Sequence, residues 1–90
     1  MEFKKQKGRI FSEDSHGNIV AEVTFPQVNE KVIEINHTFV DSSLRGQGVA
    51  SKLVEMVYDY AKENSLLIKP TCSYAVKWFE KNTQCRSILA

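Results

Sequence analysis

Little in this chain is extreme, and each shortage removes a class of protein. Ninety residues hold two cysteines, two prolines, four glycines and one tryptophan. Two cysteines do not make a disulfide framework, and a reducing compartment keeps both as thiols. The two cysteines and two histidines are scattered, without a C-x-x-C or H-x-x-x-H pair, so no metal site is expected. A formal net charge of +1 gives no electrostatic case for nucleic acid. No apolar run approaches the roughly 20 residues that cross a bilayer, so no membrane partner is expected. The first residues, Met1-Glu2-Phe3-Lys4-Lys5, lack the apolar stretch of an export signal, which makes the cytoplasm the expected location. Repeats, linkers and low-complexity segments are absent. With 42% apolar and 26% charged side chains, the chain reads as one domain, residues 1–90, with a modest core.

The apolar pattern predicts a small α+β fold. Arg9 to Ser12, with a start near Phe3, is a short strand. Asp14-Ser15-His16-Gly17-Asn18 is a turn, because Gly and Asn tolerate positive φ and Asp and Ser bond nearby backbone. Ile19 to Phe25 alternates, with Ile19, Ala21, Val23 and Phe25 on one face. Pro26 ends that strand, and Asn29-Glu30-Lys31 turns the chain into a third strand, Val32 to Val40. These three runs read as an antiparallel meander. Val49 to Glu63 has helical period: Ala50, Leu53, Val54, Val57 and Ala61 form an apolar stripe, while Ser51, Lys52, Glu55, Asp59 and Lys62 face water. Asn64-Ser65 stops the helix. Leu66 to Thr71 is a further strand, expected to lie parallel to the third. Ser73 to Lys81 is a short helix with Ala75, Val76, Trp78 and Phe79 inward. The tail from Asn82 to Ala90 has no clear place.

The segment Arg45-Gly46-Gln47-Gly48-Val49-Ala50 joins the third strand to the first helix. A glycine turn entering a helix leaves several backbone N–H groups unpaired and pointing one way, and the helix dipole favours an anion there. Gly46 and Gly48 permit unusual backbone geometry and let a phosphate come close. A phosphate-bearing cofactor is the expected ligand. The nucleotide-triphosphate loop G-x-x-x-x-G-K-[ST] fails, because Val49 and Ala50 follow Gly48. The dinucleotide fingerprint G-x-G-x-x-G is poorly met, because Ser51 stands at the third glycine. What remains is R-x-x-G-x-A. The alternative is a plain strand-to-helix turn with Arg45 and Lys52 solvated.

That pattern resembles the pyrophosphate signature Q/R-x-x-G-x-G/A of the GNAT superfamily, the acyl-CoA-dependent N-acyltransferases. The flanks extend the resemblance. His37-Thr38-Phe39-Val40-Asp41, Leu44 to Ala50 and Pro70-Thr71-Cys72-Ser73-Tyr74, in that order, are similar to the small single-domain YjdJ-like N-acetyltransferases. The match runs from about Val32 to Lys81. It implies a minimal GNAT-like fold with a strand–helix–strand parallel unit and a short C-terminal helix. It also implies acetyl-CoA as cofactor. Backbone of Gly46, Gln47, Gly48, Val49 and Ala50 would hold the pyrophosphate, with charge from Arg45 and Lys52. Backbone at Phe39 and Val40 would pair with the pantetheine arm as an added strand. Both side chains also read as core.

The resemblance pairs His37 with Cys72 as active residues. Imidazole is the natural base for an amine nucleophile near neutral pH. By pattern alone, His37 shares a face with Ile33, Ile35 and Phe39 and reads as a satisfied core residue. Cys72 follows a strand and immediately precedes a helix. It reads as a transient acyl acceptor, as a proton donor to the departing thiolate, or as a small buried residue. Tyr74 reads as a packed aromatic or a proton donor. His16 and Cys85 have no assigned role. The expected function is an acetyl-CoA-dependent N-acetyltransferase acting on an amine acceptor, small or protein-borne, as a monomer. The alternative is a CoA-binding module without efficient turnover that works through a protein partner.

Overall fold

The computed structural model describes residues 1–90 as seven strands, two α-helices and two short 3-10 helices. Strands β1 (Lys4–Gln6) and β2 (Arg9–Glu13) form a hairpin around Lys7-Gly8, with Gly8 at φ +74°. β3 (Ile19–Thr24) runs antiparallel to β2, and β6 (His37–Val40) antiparallel to β3. These four make one sheet in the order β1-β2-β3-β6. A second sheet has the order β4-β5-β7, from β4 (Gln27–Asn29), β5 (Val32–Ile35) and β7 (Leu67–Pro70). β5 and β7 are parallel. The fold is a small α+β one with a mixed sheet, and no helix is long and apolar enough to cross a membrane.

The meander is present in β2, β3 and β6, with two refinements. The region near Phe3 is a separate strand, because Gly8 reverses the chain. The run Val32 to Val40 divides at Asn36, whose N–H donates to the Thr24 carbonyl at 3.3 Å. Its first half pairs with β7 and its second half with β3. One stretch of sequence thus serves both sheets.

Helix α1 (Val49–Glu63) and helix α2 (Ser73–Lys81) have the expected bounds. α1 buries Val49, Leu53, Val54, Val57 and Ala61. Val49 replaces Ala50 in the expected stripe, because the first turn leans on the core through its first residue and leaves Ala50 half-buried. Fully burying Leu53, Val54 and Val57 stabilises the fold by about 2 kcal/mol each. The helix stops where the Asn64 side chain donates to the Tyr60 carbonyl at 2.8 Å and Ser65 turns to φ +56°. α2 buries Ala75, Trp78 and Phe79. Val76, expected inward, is exposed, because the short helix has one narrow buried stripe. Ser51, expected to face water, is half-buried and accepts a hydrogen bond from Trp78 Nε1 at 2.9 Å. The tail folds into a 3-10 helix, Thr83–Ile88, that buries Cys85 and Ile88. Ala90 N–H then reaches the Ile68 carbonyl at 2.9 Å.

Both helices share one apolar cluster with Ala21, Val23, Ile33, Ile35 and Ile68, so they lie on one side of the sheets. The register sets the rest. Val40 opposes Ala21 and Thr38 opposes Val23 on the helix side. His37 opposes Thr24 and Phe39 opposes Glu22 on the other side, which no helix covers.

Candidate functional site

The approach to α1 is built from local hydrogen bonds. Asp41 caps the 3-10 helix Ser42–Leu44, its carboxylate accepting from Ser43 N–H at 3.0 Å and Ser43 Oγ at 2.6 Å. The Ser43 hydroxyl and then the Ser43 N–H hold the Asp41 carboxyl below the ordinary range. Arg45 closes this turn with its N–H on the Ser42 carbonyl, and its side chain is exposed. Gly46 at φ +81° and Gly48 at φ +74° then carry the chain into the helix. An L side chain at either φ costs about 1–2 kcal/mol. The space above both glycines is open.

Gly48 is the N-cap of α1, and no side chain caps that end. The N–H groups of Gly46, Gln47 and Gly48 make no backbone hydrogen bond. Those of Val49 and Ala50 have no carbonyl one turn back within the helix. Of these residues, Gly46, Gly48, Val49 and Ala50 border a cavity of about 380 Å³. Val40, Arg45, Gly46, Gly48, Val49 and Ala50 line it, together with Thr38, Ser51 and Tyr74. Gln47 and Lys52 do not. Lys52 is exposed and reaches Glu55 at 3.3 Å, one turn along.

The cavity sits where two strands part. β6 is the edge of its sheet, and β7 pairs with β5 as far as Pro70. Thr71 and Cys72 then both donate N–H to the Ile35 carbonyl, at 3.0 and 3.2 Å. Past Ile35 the chain leaves for the other sheet, so β6 and the start of α2 face each other without backbone pairing. Across that gap Thr38 Oγ1 lies 4.0 Å from Cys72 Sγ. Cys72 is half-buried and caps α2, its sulfur accepting from Ala75 N–H at 3.4 Å. The Trp78–Ser51 hydrogen bond ties α2 to the first turn of α1, fixing the two helix starts relative to each other.

His37 is elsewhere than the pattern suggested. Because the strand breaks at Asn36, the alternation slips by one, and His37 no longer shares a face with Ile33 and Ile35. Its side chain is 52% exposed on the open side of the sheet. Its Nε2 lies 3.5 Å from Glu22 Oε1. Phe39 stands beside it, 40% exposed, so its side chain is not core. Val40 is half-buried on the helix side. The sequence-selected residues therefore fall into two groups. The glycine turn, Val40 and Cys72 collect on the helix side, and His37 and Phe39 stand on the far side of the same strand.

This arrangement is a strand–turn–helix junction with an uncapped helix start beside a parted strand pair. Residues 9–88 match the GCN5-related N-acetyl-transferase family. The chain belongs to that family. Among solved structures, a GCN5-like protein from Staphylococcus aureus is 35% identical, with a TM-score of 0.83, covering 99% of this chain and 87% of that one. An acetyltransferase from Bacillus cereus is 26% identical, with a TM-score of 0.65, covering 83% of this chain and 54% of that one. Protein NATD1 of Xenopus tropicalis is 31% identical over 62 residues, 69% of this chain and 57% of that protein. The chain thus spans little more than half the length of that relative.

Residues not singled out as site candidates also line the cavity. Thr38 and Ser51 enter it only once the register and the helix pairing are known. Tyr74, weighed as a packed aromatic or a proton donor, lines it directly. A larger hollow, about 600 Å³, lies between the first hairpin and the far half of α1, against Met56, Asp59, Tyr60 and Glu63. It is two turns or more from the α1 N-terminus and has none of the open backbone donors. Chemistry, not volume, selects the smaller cavity.

Proposed function

We propose that this chain transfers an acetyl group from acetyl-CoA to an amine. The single observation that carries the reading is the uncapped start of α1, whose residues line a cavity that also reaches Thr38, Val40 and Tyr74. Backbone of Gly46 to Ala50 suits a pyrophosphate, with Arg45 at the rim and Lys52 as more distant charge. The free edge of β6 at Phe39 and Val40 suits an extended pantetheine arm running as an added strand. Bound acetyl-CoA supplies a thioester, and the amine nitrogen bonds to its carbonyl carbon as the C–S bond breaks.

The chain's own groups then handle charge and protons. His37 takes the proton from the attacking amine, directly or through one water. Backbone N–H groups at the parted strands stabilise the charge that develops on the carbonyl oxygen. Cys72 or Tyr74, both beside the gap, returns a proton to the leaving thiolate. Direct attack by the amine makes an acyl-Cys72 unnecessary. His37 stands on an open face without an enclosing wall, which suits an amine carried on a flexible peptide or presented by a partner.

Calorimetric titration with acetyl-CoA, with adenosine diphosphate as the control, tests the reading. Saturable one-to-one binding, with the nucleotide much weaker, is expected. No binding at millimolar acetyl-CoA removes the proposal. Binding without acetylation of spermidine, a lysine peptide or a free peptide N-terminus leaves a CoA-binding module as the better reading.

A further inference from the structure

We infer that Glu22 is a positioning residue for His37, the second member of a carboxylate–imidazole pair on the open face of the sheet. The inference rests on reading His37 as the base. Glu22 lies in the middle of β3, diagonal to Arg9 on one neighbouring strand and to His37 on the other. Diagonal neighbours are within reach of long side chains. One carboxylate oxygen, Oε2, takes Arg9 Nε in an ion pair. The other, Oε1, faces His37 Nε2 at 3.5 Å.

The carboxylate is itself held in place. The Arg9 guanidinium stacks over the Phe11 ring, 3.9 Å from its centroid, and Phe11 is buried. Arg9 Nη1 also donates to Gln6 Oε1 at 3.3 Å. Four strands thus fix one carboxylate: β1 and β2 hold the arginine, β3 carries Glu22, and β6 presents the imidazole. Glu22 is only 20% exposed, whereas His37 is 52% exposed. A fixed, shielded acceptor beside an exposed ring is the arrangement that orients the ring. An Nε2–H turned toward Glu22 leaves Nδ1 as the open acceptor for an amine proton. This gives Glu22 a task that surface charge does not explain, since an ordinary exposed ion pair contributes little.

The test has one arm that needs no turnover. Carbon relaxation of the His37 ring is measured by NMR in the parent protein, in Glu22→Gln and in Glu22→Ala. A ring ordered in the parent and mobile in Glu22→Ala is expected, and equal ring motion in both overturns the inference. The second arm follows CoA release from acetyl-CoA with a capped lysine amide. Glu22→Gln is expected to lower kcat about tenfold with KM for acetyl-CoA unchanged, and to change the rate less than twofold in a His37→Ala background. Equal losses in both backgrounds mean that Glu22 acts on the sheet and not through His37. Full activity in His37→Ala removes the base reading and this inference with it. A slow His37→Ala enzyme beside a fully active Glu22→Gln enzyme removes the inference alone. Thermal melts of each variant separate these outcomes from loss of fold.

Discussion

Two helices begin at the same cavity, and they begin differently. α1 starts from Gly48 at φ +74° with no side chain over its N–H groups. α2 starts from Cys72 in extended backbone, with the thiol sulfur taking the Ala75 N–H. A helix start closed by its own side-chain oxygen takes Ser, Thr, Asp or Asn at this position. Neither helix does. The open α1 end leaves its donors for an outside anion, and the α2 end is closed by sulfur, a weak acceptor. Under the proposed function the difference would separate binding from turnover: α1 would hold the cofactor, and the α2 start with the open face would handle protons.

The largest expected effect comes from closing the α1 end. Gly48→Asp sets a carboxylate among the free N–H groups, where it repels a pyrophosphate. Binding of acetyl-CoA is expected to weaken at least about 100-fold, equivalent to about 2.7 kcal/mol. The positive φ adds a stability cost of about 1 kcal/mol. Calorimetry and a thermal melt on the same sample separate the two. Unchanged binding would falsify the assignment of this turn to the pyrophosphate.

On the proton side, the reverse signature is expected. His37→Ala should lower kcat about 100-fold while the acetyl-CoA dissociation constant stays within twofold. Steady-state kinetics with a lysine peptide, set beside calorimetry, reads both quantities. A matched loss of binding would break the division between the two helix starts and tie the open face to the cofactor.

The α2 end gives a smaller, two-sided test. Cys72→Ala removes the cap and should cost about 1 kcal/mol, lowering the melting temperature by about 4–8 °C in a chain of this size. Cys72→Ser offers a better acceptor and should melt at or above the parent. If Cys72→Ser is also as active as the parent, the thiol has no chemical task and the helix start is structural. A stable but slower Cys72→Ser enzyme places the thiol in proton transfer.

The elements that were legible from the sequence are those fixed within a few residues. Both helices have the bounds their period implied, because Gly48 and Asn64-Ser65 bracket the first and Cys72 and Asn82 the second. The glycine turn was legible for the same reason. What escaped depends on pairing. Ile33, Ile35, His37 and Phe39 alternate without interruption, so pattern alone keeps them on one face. Asn36 moves the strand to another sheet and exchanges the faces, putting Thr38 and Val40 inward and His37 outward. An asparagine inside a β-branched run was the only local signal. Ser51 reads as surface until Trp78 is known to reach it. The tail carried a signal too, since Cys85 and Ile88 are three apart, the period of a 3-10 helix.

The finest test of the comparison concerns how the open α1 end is held open. Asp41 has its carboxyl held below the ordinary value, first by the Ser43 hydroxyl and then by the Ser43 N–H. A carboxyl lowered in the folded state adds stability that is present above its ordinary value, 3.8, and lost as pH falls through the folded value. Asp41 is only half-buried at the surface, so the effect on melting is small. Asp41→Asn should melt slightly below the parent at pH 7, and the two curves should converge as pH falls through the lowered folded-state value. The same substitution loosens the turn before Arg45 and should weaken acetyl-CoA binding about two- to threefold. Convergence in acid without a change in binding at pH 7 would mean that Gly46 and Gly48 set the turn by themselves. A binding loss as large as that of Gly48→Asp would mean that the open helix start depends on the Asp41 cap as much as on its own glycine.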